Sequence, residues 1–305
     1  MSADDHRRAM AGIALAMGAY CCYPMGDAVV KAITASYPGT GISAIRYIIS
    51  TIALGIASWL HDPRAFRSFP CPAIQIGRGM AMAISTASFF FALGFLPLGE
   101  ATVILYLNPV LIVILSRLFL GEQVPAVAWV ATILAFLGVV IVIRPDVGHV
   151  EWVACLPLIT AFSMASFVIL NRMGAGSGGV LHTQFLISLM AVLFSSLIAL
   201  GGHLTGIERL HLSLPPARVL IGCAGVAIAA TAAHGLLLMA TERVPAGRIA
   251  PFAYVQLLVA VLLGMLFFDD RPDWITGAGA ALIVMAGLMT WQAQRRSALR
   301  AIAHE

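Results

Sequence analysis

Three residues in the first two apolar runs of this sequence carry charges that could bind a solute or a proton. Asp27 and Lys31 are four residues apart, one helical turn, so they can pair on one helix face or bind a charged ligand. Arg46 could hold a carboxylate or phosphate through two parallel hydrogen bonds. Alternatively, Arg46 could bind Asp27 or backbone carbonyls and hold the first two runs together.

His234 lies in the middle of a later apolar run, after Thr231-Ala232-Ala233. An imidazole titrates near neutral pH and could couple the protein to protons, or it could form a hydrogen bond between helices. With Ser43 it could also form the dyad of an intramembrane serine protease. That protease and a non-transporting structural membrane protein are the alternative hypotheses.

Two further polar pairs occupy matching places in the two halves of the chain. Tyr106 with Asn108 resembles Tyr254 with Gln256, and each pair combines an aromatic ring with an amide. Such groups suit a planar organic ligand. They also suit hydrogen bonding between helices, so both interpretations stay open.

The remaining reactive residues do not indicate a metal or a cofactor. The five cysteines form neither a CxxC motif nor a Cys/His pattern with metal spacing. The sequence therefore predicts no metal site, no cofactor and no catalytic residue.

Composition points to lipid as the solvent for most of the surface. Only 10% of the 305 residues are charged and the mean hydropathy is +0.95, whereas a soluble domain has about 25% charged residues. Seventeen of the eighteen basic residues are Arg, scattered singly or in pairs, so a nucleic-acid partner is not expected.

The elements that must position these residues are ten apolar runs, each near the length that crosses a bilayer as a helix. The Leu-, Ala-, Ile- and Gly-rich runs are continuously apolar, unlike the alternating strands of a membrane barrel. They predict helices near 10–30, 41–60, 79–96, 101–119, 127–143, 152–171, 180–200, 218–240, 249–268 and 274–292.

Basic residues set the predicted orientation. With the N-terminus inside, twelve basic residues fall on the inner side and five on the outer side, with Arg46 within a span. We therefore predict a multi-pass protein of the bacterial inner membrane with both termini cytoplasmic. The run after Arg7-Arg8 is interpreted as an uncleaved first span, and residues 293–305 as a basic cytoplasmic tail.

The two halves match each other at a shift of 148 residues. Pro97 aligns with Pro245, Gly99 with Gly247 and Tyr106 with Tyr254, and Glu122 aligns with Asp270. Because each half holds five spans, an odd number, the second must be inverted relative to the first. Inverted repeats of this kind place a solute site near the bilayer midplane between the halves.

These motifs also resemble a known family. Leu98-Gly99-Glu100-Ala101 through Leu107-Asn108-Pro109, closing with Phe119-Leu120-Gly121-Glu122, resembles the EamA domain of the drug/metabolite transporter superfamily. Gly277-Ala278-Gly279-Ala280-Ala281 and Ala286-Gly287 resemble the last helix of a second copy, although Asp269-Asp270 replaces the family's Gly-Glu. The resemblance covers 10–143 and 152–292 as two five-helix repeats.

The resemblance implies an all-α membrane protein with ten transmembrane helices in two inverted five-helix repeats. It also implies a secondary carrier for a small organic metabolite such as an amino acid, a vitamin or a nucleotide-like compound, working by alternating access. The expected partners are this solute, the lipid bilayer and, as a candidate coupling ion, the proton.

Overall fold

A computed structural model describes residues 3–121, 126–143, 152–174, 178–243 and 254–303, and within these residues every long element is an α-helix. The eleven helices are α1 Ala3–Thr34, α2 Gly39–His61, α3 Pro72–Ala92, α4 Leu98–Leu105, α5 Asn108–Leu120, α6 Ala126–Ile143, α7 Cys155–Met173, α8 Val180–Leu204, α9 Ala217–Arg243, α10 Tyr254–Phe268 and α11 Trp274–Ala303. The all-α membrane fold predicted from the sequence is confirmed.

Within the described residues, the helices depart from the ten predicted runs at one place. The run near 101–119 is divided into α4 and α5 because Tyr106 has φ −68° and ψ 2°, which ends the first helix. Its N–H bonds the carbonyls of Thr102 and Val103, as in a tightened last turn. The chain then resumes as a helix at Asn108.

Several helices are built to face lipid. Met10–Thr34, Gly39–His61, Val180–Leu204 and Ala217–Leu237 are long and apolar enough to span a bilayer, and Cys155–Asn171, Val255–Phe268 and Trp274–Ala286 are shorter apolar helices. Large apolar side chains stay exposed, such as Ile228 at 70% and Leu258 at 71%. Extended apolar surface of this kind is typical of helices that contact lipid or another apolar partner.

The helix packing repeats when the two halves are exchanged. Helix α1 packs against α9 and α10, as α7 packs against α3 and against α4 and α5. Helix α3 packs against α8 as α9 packs against α2, and corresponding helices also pair, α2 with α8, α6 with α11 and α4 with α10. This is the pattern expected for repeats related by a pseudo-two-fold axis.

Helix termination repeats as well. Helix α5 is followed by Gly121 with φ 68°, and α10 is followed by Asp269 with φ 53°, one 148-residue repeat later. Both residues adopt the left-handed conformation that commonly ends helices. The repeat is therefore present in backbone geometry as well as in residue identity.

Candidate functional site

Helix α1 brings three polar side chains onto adjacent turns. Tyr20, Tyr23 and Asp27 follow one another at spacings of three and four, which places them along one side of the helix. Pro24 lies among them and has no N–H, so the carbonyl of Tyr20 lacks its usual partner four residues on. These hydrogen-bonding groups are therefore concentrated in one stretch of a helix whose neighbouring residues are mostly apolar.

Helix α2 contributes a buried arginine beside two aromatic rings. Arg46 is 8% exposed, and its guanidinium carbon lies 4.3 Å from the ring centre of Tyr47 and 5.7 Å from that of Phe90. Its buried Nε has no hydrogen-bond partner among the described residues. The two rings shield part of the charge while one N–H donor stays unused.

Helix α9 joins the group through His234. The hydroxyl of Tyr23 and Nδ1 of His234 are hydrogen-bonded at 3.0 Å, and the two rings meet edge to face with centroids 5.3 Å apart. This contact links helices of opposite halves. Among the described residues, Ser43 Oγ has no partner, so the structure does not contain a Ser43–His234 hydrogen bond.

The charge of Arg46 lies near the polar side chains of α1 and α9. Its charge acts on Asp27, on Tyr23 and on His234, so these side chains of α1, α2 and α9 lie within range of one another. Three residues predicted from the sequence, Asp27, Arg46 and His234, are therefore brought together. Tyr23 was not predicted, because only the fold reveals that it faces His234.

Lys31 belongs to a different contact from the expected one. Rather than pairing with Asp27, its ammonium lies 2.5 Å from Asp270 Oδ2, and Asp270 also accepts the Leu98 N–H at 3.2 Å. The ammonium lies 4.9 Å from the ring centre of Phe268. The lysine stem reaches past the end of α1, so its partner comes from the start of the loop after α10.

The residues of the two matching polar pairs lie in another part of the molecule. Tyr106 packs in an apolar cluster that includes Leu257, the neighbour of Gln256 in sequence. Asn108 begins α5, and Gln256 is half-buried in α10. Tyr254 begins α10, and its side chain lies outside the described part of the structure.

A cavity of about 430 Å³ lies at the end of the molecule where α1 meets α2. It is lined by aromatic, polar and charged residues of the α1–α2 turn, the end of α3 and the α8–α9 connection: Tyr37, Gly39, Phe90, Phe91, Phe95, Glu208, Arg209 and His211. This volume falls within the range of small-molecule sites.

The cavity wall is fixed by two polar contacts. Tyr37 donates a hydrogen bond to the carbonyl of Ser213 at 3.0 Å, and burial raises the pKa of Tyr37 above its usual value, so the phenol stays a donor. The guanidinium of Arg209 lies 4.6 Å from the ring centre of Phe95.

Within the described residues, no three His, Cys, Asp or Glu side chains are grouped as metal ligands would be.

Comparison with known proteins identifies the family. The model of the EamA-like transporter family matches residues 10–144 and 151–292. The S-adenosylmethionine uptake transporter of Rickettsia felis is 24% identical over 261 residues, 85% of each chain. The riboflavin transporter of Rhizobium johnstonii is 26% identical over 226 residues, 74% of this chain and 72% of that one.

A third relative and a solved structure also match most of the chain. The pseudopaline exporter of Pseudomonas aeruginosa is 23% identical over 279 residues, 90% of this chain and 94% of that protein. A crystal structure of a protein at 18% identity superposes with a TM-score of 0.65 over 93% of this chain and 98% of the other, which shows a shared fold. Two consecutive family matches, which together cover most of the chain, place it in the EamA-like transporter family.

Proposed function

We propose that this transporter is a secondary carrier for a zwitterionic organic metabolite with an amino-acid head group, and that it performs no covalent chemistry. The observation that supports this most is that Asp27 on α1 and the buried Arg46 on α2 carry opposite charges within electrostatic range of each other, although these two described residues are not in ion-pair contact. Charged groups inside a membrane protein usually face a partner or a cargo pathway.

A zwitterion can bind between these two side chains and match both of their charges. Its carboxylate would bind Arg46, and its ammonium would bind Asp27. Because each protein charge would gain a partner of opposite sign, part of the desolvation cost that an ion of one sign would meet is offset. Tyr23 and His234 would border the same space and contribute hydrogen-bonding atoms from both halves.

The relatives support a cargo of this class. One is named for uptake of S-adenosylmethionine, a molecule with an α-amino acid at one end and a planar heterocycle at the other. We propose S-adenosylmethionine as the first cargo to test here. Riboflavin, the named cargo of another relative, has no carboxylate and is the matched comparator.

Counterflow into proteoliposomes tests the proposal without assuming a direction of transport. We expect labelled S-adenosylmethionine to exchange with internal unlabelled compound, and riboflavin to exchange at least ten-fold more slowly. Faster exchange of riboflavin would contradict the zwitterion assignment. Absence of any solute flux, together with proteolysis that Ser43→Ala abolishes, would instead support the serine protease.

Arg46→Lys provides the first mutational prediction. Lysine keeps the charge but loses the planar fork that holds a carboxylate in two hydrogen bonds. We expect KM for the cargo to rise about ten-fold or more, corresponding to roughly 1.4 kcal/mol at 25 °C. Arg271→Gln is the control, because its ion pair with Asp269 is 83% exposed on both sides and such pairs contribute little.

A further inference from the structure

We infer that the hydroxyls of Thr40 and Ser43 bind the cargo carboxylate together with Arg46, so that one face of α2 forms the carboxylate subsite. This inference rests on the proposed carrier function. It adds two residues that lie between the cavity and the buried arginine, and it assigns them a role as hydrogen-bond donors.

The first argument is that both hydroxyls are buried and unused. Thr40 is 7% exposed and Ser43 is fully buried, yet neither side-chain oxygen has a hydrogen-bond partner among the described residues. Burying a hydroxyl without a partner is unfavourable, so native structures rarely retain one without a reason. A ligand that supplies acceptor atoms would remove this cost.

The second argument comes from other hydroxyls of the same chain. Thr102, Thr160 and Ser166 each donate to the carbonyl four residues earlier, at 2.7, 3.0 and 2.9 Å, which is the usual arrangement within a helix. Ser43 has the carbonyl of Gly39 at the same separation and does not use it. Its donor is therefore free to serve another acceptor.

The third argument is position. Thr40, Ser43 and Arg46 are spaced by three residues, so they follow one side of α2 over two turns. The row starts beside Gly39, which lines the cavity, and ends at Arg46. Phe90 borders both ends, because it lines the cavity and lies 5.7 Å from the guanidinium carbon of Arg46.

The chemistry of these donors defines the ligand. Two hydroxyls and one guanidinium N–H supply three donors and one positive charge within a short stretch of helix. An ionised carboxylate offers two oxygens with about four acceptor sites and one negative charge. An organic carboxylate therefore satisfies this set, whereas a neutral or cationic head group does not.

The double variant Thr40→Val with Ser43→Ala separates binding from folding. We expect KM for S-adenosylmethionine in counterflow to rise ten-fold or more, and the melting temperature in detergent to stay equal or increase. Thr102→Val is the control, since its buried hydroxyl already has a helical partner, and its KM should not change. An unchanged KM in the double variant, or a melting temperature lowered well below that of the control, would overturn the inference.

A second measurement does not depend on knowing the cargo. Ser43→Cys is exposed to a membrane-impermeant thiol reagent in proteoliposomes, and modification is read at that position by mass spectrometry. We expect modification at position 43, and none in Ser195→Cys, which replaces a fully buried serine bonded to Val192 within α8.

The two experiments fail in different ways. If the wild type exchanges neither S-adenosylmethionine nor riboflavin, the proposed cargo is wrong, while labelling still decides whether Ser43 lines the pathway. If the wild type exchanges the cargo and position 43 is never modified, the proposed function stands and the α2 subsite is wrong.

Discussion

At the scale of single residues, the decisive feature is a charge held where water is scarce. Asp27 is an acid within a membrane helix, close enough to Arg46 for their charges to interact. A carboxyl in that position can exist neutral or ionised, and each form would bind a cationic ammonium differently. This makes Asp27 the proposed proton-coupling residue.

Asp27→Asn tests this role directly, because asparagine keeps the shape and removes the ionisable proton. We expect a transmembrane pH gradient to stop driving cargo accumulation, while counterflow without a gradient continues at a reduced rate. The measurement compares gradient-driven accumulation with counterflow in the same liposomes. If gradient-driven accumulation survives unchanged, the coupling proton is carried elsewhere, with His234 as the next candidate.

At the scale of helices, the Lys31–Asp270 ion pair joins the ends of elements from opposite halves. Lys31 comes from α1 and Asp270 follows α10, and both side chains are mostly buried, at 14% and 19% exposure. Alternating access requires a contact that closes one end of the carrier to break once in each cycle. We propose that this pair stabilises the closed state of the end that also contains the cavity.

Exchanging the two charges provides the test. Lys31→Asp alone and Asp270→Lys alone each place two like charges together, so we expect several-fold slower counterflow from either. The double exchange restores an opposite pair and should recover at least half of the rate. If the double variant is no better than the single variants, the ion pair does not control the rate of exchange.

Asp269 offers a stability prediction at the same scale. Its φ of 53° is the left-handed conformation that glycine adopts without strain, and Gly121 occupies the corresponding position of the first half. Asp269→Gly should therefore raise stability by about 1 kcal/mol, measured as an increased melting temperature in detergent. Arg271→Gln removes the exposed Asp269 ion pair without changing the backbone and should have no effect.

Most helices could be predicted from the sequence because their apolar runs are long and uninterrupted. The run near 180–200 corresponds to Val180–Leu204, and that near 218–240 to Ala217–Arg243. The division at Tyr106 could not be predicted, since a change in the ψ angle of one residue has no counterpart in the apolar composition of the run. The left-handed φ of Asp269 after α10 could likewise not be predicted, because nothing in the sequence around Asp269 indicates it.

The site was only partly predictable for a similar reason. Asp27, Arg46 and His234 stand out as polar residues in apolar runs, so their types alone mark them. The partners of Lys31 and His234 are 239 and 211 residues away in sequence, and only the packed fold reveals them. Thr40 and Ser43 could have been recognised from their spacing with Arg46, but hydroxyls in membrane helices are too common to stand out.

At the scale of the whole molecule, the distribution of Arg and Lys predicts how the chain lies in the membrane. Twelve basic residues fall on the side proposed to be cytoplasmic and five on the other. Bacterial inner-membrane location, cytoplasmic termini and the basic tail at 293–305 follow as proposals. The helical part of that tail continues α11 as far as Ala303.

Reporter fusions can test this topology. A reporter that is active only in the cytoplasm should be active when attached to either terminus, and inactive when inserted in the α8–α9 connection near Arg209. Activity at only one terminus would mean an odd number of spans and would contradict the inverted arrangement of the halves. A fusion that is active at all three places would contradict the membrane topology as a whole.

The Lys31–Asp270 contact also has an electrical consequence. The two charges are opposite and lie at one end of the molecule, so parting them sideways moves no net charge through the membrane field. Asp27 and Arg46 likewise carry opposite charges within one half. Reorientation of the empty carrier should then be insensitive to voltage, and the current during transport would report the charge of the cargo and its coupling ion alone.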